Sequence, residues 1–461
     1  MSRGSPVSAP EHGELSVPLK NIRRMLEGLM PPSMTTVSPD GMPHVNHVSH
    51  AEYVDENHVA LTWQFQNASR ANILATRRAC LSFDDPTSGT GFVMQIEYLR
   101  TETEGPLFER LRAKLAGIAS HSGMDGVFRL RGADVYRVLE LRRVPGRLEM
   151  PSLAPRCDVV AGARRVSEAL ARCDDAATML DTLMEGLSRE LLIEHSMLWM
   201  LETDRPVLSL VASHGYAVHR IGAELQVGVG LVGTAVREGV PIRIGHMSLS
   251  MVYGRAARGV IDELGLAQAV SAEIPLPGLP APRSQLAVPL RARSRIVGAL
   301  FVESLHDQFF SYDDEDALMP LAGQLGALLS GLHAADAPRR ADPTAPAASA
   351  AQAAGAPALR LRLHEKDNSV FADDDYLIRG VAGAILWKLA REHVQSGRVE
   401  FSNRELRAAA NELRLPEVDD NLEVRLVLLQ RRLAERGGPL QIEKTGRGRF
   451  RFVVGRRLEL V

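Results

Sequence analysis

Three residues in one short stretch, Ser69, Arg70 and Asn72, are of the kinds that hold an anion, and Gln64 and Asn67 just before them are further hydrogen-bonding side chains. An arginine offers a planar fork of donors that matches a phosphate or a carboxylate. Ser69 and Asn72 would add neutral hydrogen bonds, and a helix opening at Ser69 would turn its first backbone N–H groups toward the same charge. A plainer account stands beside this one: Ser69 caps the helix and Arg70 lies exposed in its first turn. A second set lies near the C-terminus. From Arg425 to Arg457 there are ten Arg or Lys against two acids, a net of +8, in a chain whose formal net charge is −2. Lys444, Arg447, Arg449 and Arg451 would bind phosphates, and Arg431 and Arg432 would lie near a groove of double-stranded DNA. The competing account is a solvated basic face. His44, His47 and His50 fall at i, i+3 and i+6; on a strand they face alternate ways and do not converge, so no metal site is expected.

These groups need scaffolds, and 461 residues is the length of about three domains. The hydrophobic fraction of 45% and charged fraction of 24% are ordinary for a globular chain. No run of about 18 apolar residues occurs, so no membrane span is expected. Residues 1–16 lack an apolar signal core and read as a flexible tail. Cys80, Cys157 and Cys173 share no CxxC spacing, and so sparse a count argues for a reducing cytoplasm.

Residues 17–144 read as one domain. A helix over Lys20–Leu29 would end at Met30-Pro31-Pro32, and Pro39 and Gly41 suit a tight turn. Strands are expected at Met34–Val37, Pro43–Tyr53, His58–Thr62, Ala79–Phe83, Phe92–Thr101, Val127–Arg131 and Asp134–Leu141, with helices over Ser69–Thr76 and from Pro106. Many short strands with two or three helices suggest a small antiparallel barrel. Thr35-Thr-Val-Ser-Pro-Asp-Gly-Met-Pro-His44, Asn67-Ala-Ser-Arg-Ala-Asn72 and Phe128-Arg-Leu-Arg-Gly-Ala-Asp-Val-Tyr-Arg137 give this region its family likeness. It resembles the pyridoxamine 5′-phosphate oxidase-like FMN-binding split barrel. The resemblance implies that Ser69, Arg70 and Asn72 grip the flavin phosphate, that Gln64 and Asn67 reach the ribityl chain or ring edge, and that the flavin lies at the interface of a homodimer.

Residues 145–173 read as a connector, punctuated by Pro145-Gly-Arg and Pro151-Ser-Leu-Ala-Pro155 and then helical. Two blocks dominate residues 174–332. In Leu225–Ile244, Gly228, Gly230 and Gly233 open a helix that Gly239 closes. In Ser284–Ser304, two apolar strands flank a charged turn at Arg291–Arg295. Together they closely resemble a GAF domain, a small-molecule sensing module. The resemblance makes residues 245–283 the cover of a ligand pocket, with His246 and Tyr253 as candidate contacts for an unknown small molecule. No cysteine lies in 174–332, which excludes a thioether-linked bilin. A last helix from Ser311, kinked at Pro320, would carry Leu318, Leu321, Leu325 and Leu328 as a stripe for the core or a second subunit.

Residues 333–358, dominated by Ala and Pro, read as a disordered tether. In residues 359–461 a first helix would start after Asp375 with Ile378, Val381, Ile385 and Leu389 on one face. Ser402 and Glu405 would form a capping box for a second. A third would run from Asp420 to Arg436, followed by a hairpin around Thr445-Gly-Arg-Gly-Arg449. Three helices and a hairpin look like a winged helix. Val424, Val427 and Leu428, apolar on the third helix's outer side, instead suit a helix buried on both sides or a dimer contact. The expectation is a multi-domain α+β chain: a cytoplasmic regulator with a flavin-binding split barrel, a GAF sensor and a winged-helix-like, DNA-binding output. The alternative is an FMN-dependent oxidoreductase regulated by its GAF domain.

Overall fold

The computed structural model describes residues 17–26, 32–48, 51–64, 68–85, 90–121, 129–144, 156–202, 205–217, 220–245, 278–331, 358–365, 368–373, 375–409, 422–446 and 448–461. They fall into two compact units, one within Met1–Pro155 and one beginning at Arg156.

The N-terminal unit is a seven-stranded antiparallel sheet. After a 3-10 helix, Leu19–Leu26, come β1 (Ser33–Val37), β2 (Pro43–His47), β3 (Ala51–Asp55), β4 (His58–Trp63), α1 (Ala68–Thr76), β5 (Arg78–Asp85), β6 (Thr90–Glu102), α2 (Pro106–His121) and β7 (Gly132–Val144). Their order in the sheet is β2-β1-β5-β6-β7-β4-β3. The single strand expected over Pro43–Tyr53 is in fact two. β2 pairs with β1 and β3 with β4, so the chain passes from one edge of the sheet to the other. Arg129–Arg131 carries no strand, and β7 starts at Gly132 instead. Alternating residues of β5 to β7 supply the core (Leu81, Met94, Ile96, Tyr136, Leu141), closed by Leu19, Ile22 and Leu26.

The second unit holds two modules. The central one comprises α3 (Val159–Leu170), α4 (Ala176–Leu191), β8 (His195–Leu201), β9 (Val207–His214), β10 (Glu224–Gln226), α5 (Gly230–Glu238), β11 (Ile242–Ile244), β12 (Ser284–Ala292), β13 (Arg295–Ser304) and α6 (Tyr312–Gly331). Its sheet runs β10-β9-β8-β13-β12-β11. Asp158 and Asp175 cap α3 and α4 by accepting from Ala161 and Thr178 backbone N–H groups. α3 and α4 touch backbone to backbone, because a Cβ on Gly162 would stand 2.6 Å from the Glu190 carbonyl oxygen. On α6 the buried leucines are Leu318, Leu321, Leu325 and Leu329, with Leu328 only half-buried. The last member of the expected stripe is thus displaced by one residue.

The C-terminal module comprises β14 (Leu359–His364), β15 (Ser369–Ala372), β16 (Asp375–Ile378), α7 (Gly380–Ser396), β17 (Glu400–Ser402), α8 (Asn403–Ala408), α9 (Leu422–Arg436), β18 (Leu440–Gly446), β19 (Arg449–Val454) and β20 (Leu458–Leu460). It builds two sheets, β16-β15-β14-β20 and β17-β19-β18. The first was not expected. Its short strands rely on β20, which returns from the end of the chain to pair parallel with β14. Ile378 therefore belongs to β16, and the first helix begins only at Gly380. The Ser402–Glu405 capping box is present. Each of the three tryptophans marks a different module: Trp63, Trp199 and Trp387.

Candidate functional site

A deeply buried arginine of the second unit lies on α9. This helix hides apolar side chains all round: Leu422, Leu429 and Leu433, but also Val424, Val427 and Leu428. Between them Arg425 is only 2% exposed. Its Nη1 donates to Glu202 Oε1 at 2.6 Å and its Nη2 to the Leu201 carbonyl at 2.8 Å. Glu202, 5% exposed at the end of β8, also accepts from Ser209 Oγ at 2.6 Å. Two ions taken from water are stable together only when paired and hydrogen-bonded, and removing one partner strands the other. Arg425 and Glu202 therefore fasten the C-terminal module to the central one.

Other basic residues of the C-terminal patch reinforce this contact. Arg431 donates to the Val211 carbonyl at 3.0 Å and to Asp181 on α4 at 2.6 Å. Burial pushes its guanidinium pKa down, with Asp181 opposing the shift. Lys444 Nζ is 2.7 Å from Asp175, the cap of α4, and Arg379 bonds Glu224 on β10. Arg432 turns inward to the Leu377 carbonyl and to Glu435, and Arg451 pairs with Glu400 at 2.9 Å. Arg449 is exposed on the hairpin, and Arg447 lies outside the described residues. The +8 balance thus does not present itself as one free cationic face.

In the N-terminal unit, Arg70 bonds Asp134, donates to Thr101 at 3.0 Å and lies 3.7 Å over the Trp63 ring. Asn72 is buried and donates to Thr36 at 3.2 Å. Ser69 is fully buried, and its Oγ, like Asn46 Oδ1 and Thr62 Oγ1, has no partner among the described residues. Gln64, also buried, lines a cleft with Asn46, Thr62, Trp63, Arg70 and Asp134. The cleft is about 80 Å³, below the few hundred that enclose a drug-sized ligand. Within one copy of the chain it accommodates the hydrogen-bonding edge of a ligand, not a whole flavin, and a phosphate on Arg70 would have to displace Asp134. Asn67 lies outside the described residues, as do His50, His246 and Tyr253. Among the described residues no cluster of His, Cys, Asp or Glu is placed to hold a metal ion.

Against known proteins, a family model described as GAF domain matches residues 173–330. This segment is a GAF domain. It supplies Glu202, Asp181 and Asp175, so the C-terminal module is docked on a sensor fold. Among solved structures, the GAF domain of an Acinetobacter phosphoenolpyruvate-protein phosphotransferase matches at 21% identity and a TM-score of 0.30, over 38% of this chain and 95% of that one. Free methionine-R-sulfoxide reductase from Neisseria meningitidis in complex with its substrate matches at 19% identity and 0.29, over 38% and 94%. An FMN-binding protein from Syntrophomonas wolfei matches at 16% and 0.24, over 28% and 88%. No curated protein matches the chain. No helix among the described residues is long and apolar enough to cross a membrane.

Two functional candidates escape motif reading. Glu202 is an unremarkable acid at a strand end, and the only sign of its partner was the apolar outer side of α9 around Arg425. Glu303, 1% exposed at the end of β13, accepts from the Leu279 backbone N–H at 2.6 Å and from Gln285 at 3.0 Å. Burial pushes its carboxyl pKa up, against the lowering effect of those hydrogen bonds.

Proposed function

We propose that the chain is a signalling protein in which the GAF domain governs the availability of the C-terminal module. The observation that carries this reading is the buried Arg425–Glu202 pair, which ties the two together through the helix that would otherwise be the output surface. A GAF domain fits a signalling or regulatory role. The finer reading is a winged-helix-like output that binds double-stranded DNA once α9 and the hairpin are released. Arg425→Met alone would leave Glu202 without its cation, at a cost of roughly 3–5 kcal/mol, whereas joint replacement by apolar residues is often near neutral. Hydrogen exchange on the full chain tests this. Protection of α9 should fall in Arg425→Met and in Glu202→Leu, and return in the double variant. Fluorescence-anisotropy titrations with duplex DNA should show tighter, salt-sensitive binding by the single variants only. Unchanged protection of α9 in both single variants would remove the latch, and no DNA binding by the released chain at 50 mM salt would turn the output toward a protein partner.

A second reading concerns the N-terminal unit: an FMN-binding split barrel that pairs two copies of the chain, with Ser69, Arg70 and Asn72 at the flavin phosphate. It is favoured by the three buried polar atoms, Ser69 Oγ, Asn46 Oδ1 and Thr62 Oγ1, that have no partner among the described residues. When bound, a flavin supplies redox chemistry; the side chains named would bind and orient it. The purified chain should then show flavin absorbance, take up FMN in titration, and run as a dimer by light scattering. Arg70→Ala should weaken FMN binding by about tenfold or more, the loss of a charged hydrogen bond. Failure of the wild type to bind FMN ends this reading and leaves the GAF latch untouched.

A further inference from the structure

The start of α4, helix α9 and the β18–β19 hairpin line a half-open cavity of about 500 Å³, within the range that takes a drug-sized molecule. Its floor is apolar and buried, formed by Leu426, Val427, Ile442 and Phe450. The charged groups in its walls differ in what they touch. Asp175 is met by Lys444 at 2.7 Å, and Glu423 accepts from Arg407 at 3.2 Å and Asn403 at 3.4 Å. Asp174, on the GAF side, and Arg449, on the hairpin, are exposed and have no ion-pair partner among the described residues. Gln430, half-buried in the same wall, has no hydrogen-bond partner among them either.

We propose that this cavity is an effector site for a short apolar peptide with free ends. Its ammonium meets Asp174, its carboxylate meets Arg449, and its side chains cover the apolar floor while Gln430 bonds its backbone. An apolar floor with one uncompensated charge of each sign suits an apolar zwitterion and disfavours an ion of either sign alone. Because the walls come from the GAF domain and the C-terminal module together, such a ligand binds only the docked arrangement and shifts the population toward it. The inference rests on the docking reading and adds a ligand to it.

The test uses the full chain and the tripeptide Leu-Phe-Leu in calorimetric titration, beside its N-acetylated and C-amidated forms. Each blocked end should weaken binding roughly tenfold or more, the effect of one lost charge-assisted hydrogen bond. Arg449→Ala should become indifferent to amidation while still responding to acetylation, and Asp174→Asn should show the reverse. Both residues are exposed, so folding is not at stake. Saturating tripeptide should also slow exchange of the α9 amides. Equal affinities for all three peptides, or no heat at millimolar tripeptide, overturns the site. If α9 is protected in the wild type while the peptide does not bind, the effector site alone fails; if α9 is unprotected from the outset, the docking reading fails first.

Discussion

At the residue scale, Glu303 and Arg425 show two ways in which a buried ionisable group is accommodated. Arg425 is paired with a full counter-charge, Glu202, at 2.6 Å. Glu303 is held by neutral donors, and its carboxyl rises above the ordinary glutamate value. The folded chain then keeps a proton that the unfolded chain has already released. Stability must fall as pH rises from the ordinary glutamate value to the raised one, and level off above it. Thermal melts across that window should show the decline in the wild type and a flatter profile in Glu303→Gln; parallel profiles would show that Glu303 is not the group responsible. Neither residue was legible as a site. An acid near a strand end has no motif, and its burial depends on Gln285 across the sheet and on the Leu279 backbone. The Ser69–Asn72 string, in contrast, was conspicuous in the sequence, yet its arginine bonds Asp134, a partner 64 positions away that no local spacing reveals.

At the element scale, what the sequence made plain was local. The glycine block before α5 could be read because a Cβ on Gly233 would lie 2.5 Å from the Gln226 carbonyl oxygen, and Gly239 adopts a left-handed φ of 70°. The Ser402 capping box could be read because its two partners are three residues apart. Ser402→Ala should cost about 1 kcal/mol, measurable as a lower urea midpoint for the C-terminal module with unchanged slope. At the α3–α4 contact, Gly162→Val should cost about 1–3 kcal/mol by overpacking and lower the melting temperature of the GAF domain; an unchanged melt would mean that the helices part without penalty. The β14–β16 and β20 sheet stayed hidden for the opposite reason. Its strands are three to six residues long, and β14 finds its parallel partner only at the far end of the module. The apolar outer side of α9 was visible, but whether a second module or a second subunit covered it is settled only by the three-dimensional placement of β9 and α4.

At the scale of the whole molecule, the buried pair makes the GAF domain and the C-terminal module partners in stability as well as in position. In variants that retain only Trp199 or only Trp387, the two fluorescence transitions in urea should coincide, because undocking strands a buried ion in each module. Introducing Arg425→Met should separate them. Coincident transitions in that variant, or separate ones in its parent, would show that the modules unfold without regard to the pair.

The location of Arg425 in the first turn of α9, buried against Glu202, also fixes how a competitor is received. Any partner that needs this helix must wait for the fraction of chains in which it is free, and pays for that scarcity in apparent affinity alone. With docking favoured by about 3 kcal/mol, roughly one chain in a hundred is open, and the partner binds about a hundredfold more weakly than its contacts warrant. The deficit is intramolecular, so diluting the protein leaves it unchanged. Arg425 contributes to it beside Arg431, Lys444 and Arg379, so substitutions at any of these positions would shift the open fraction by a graded amount.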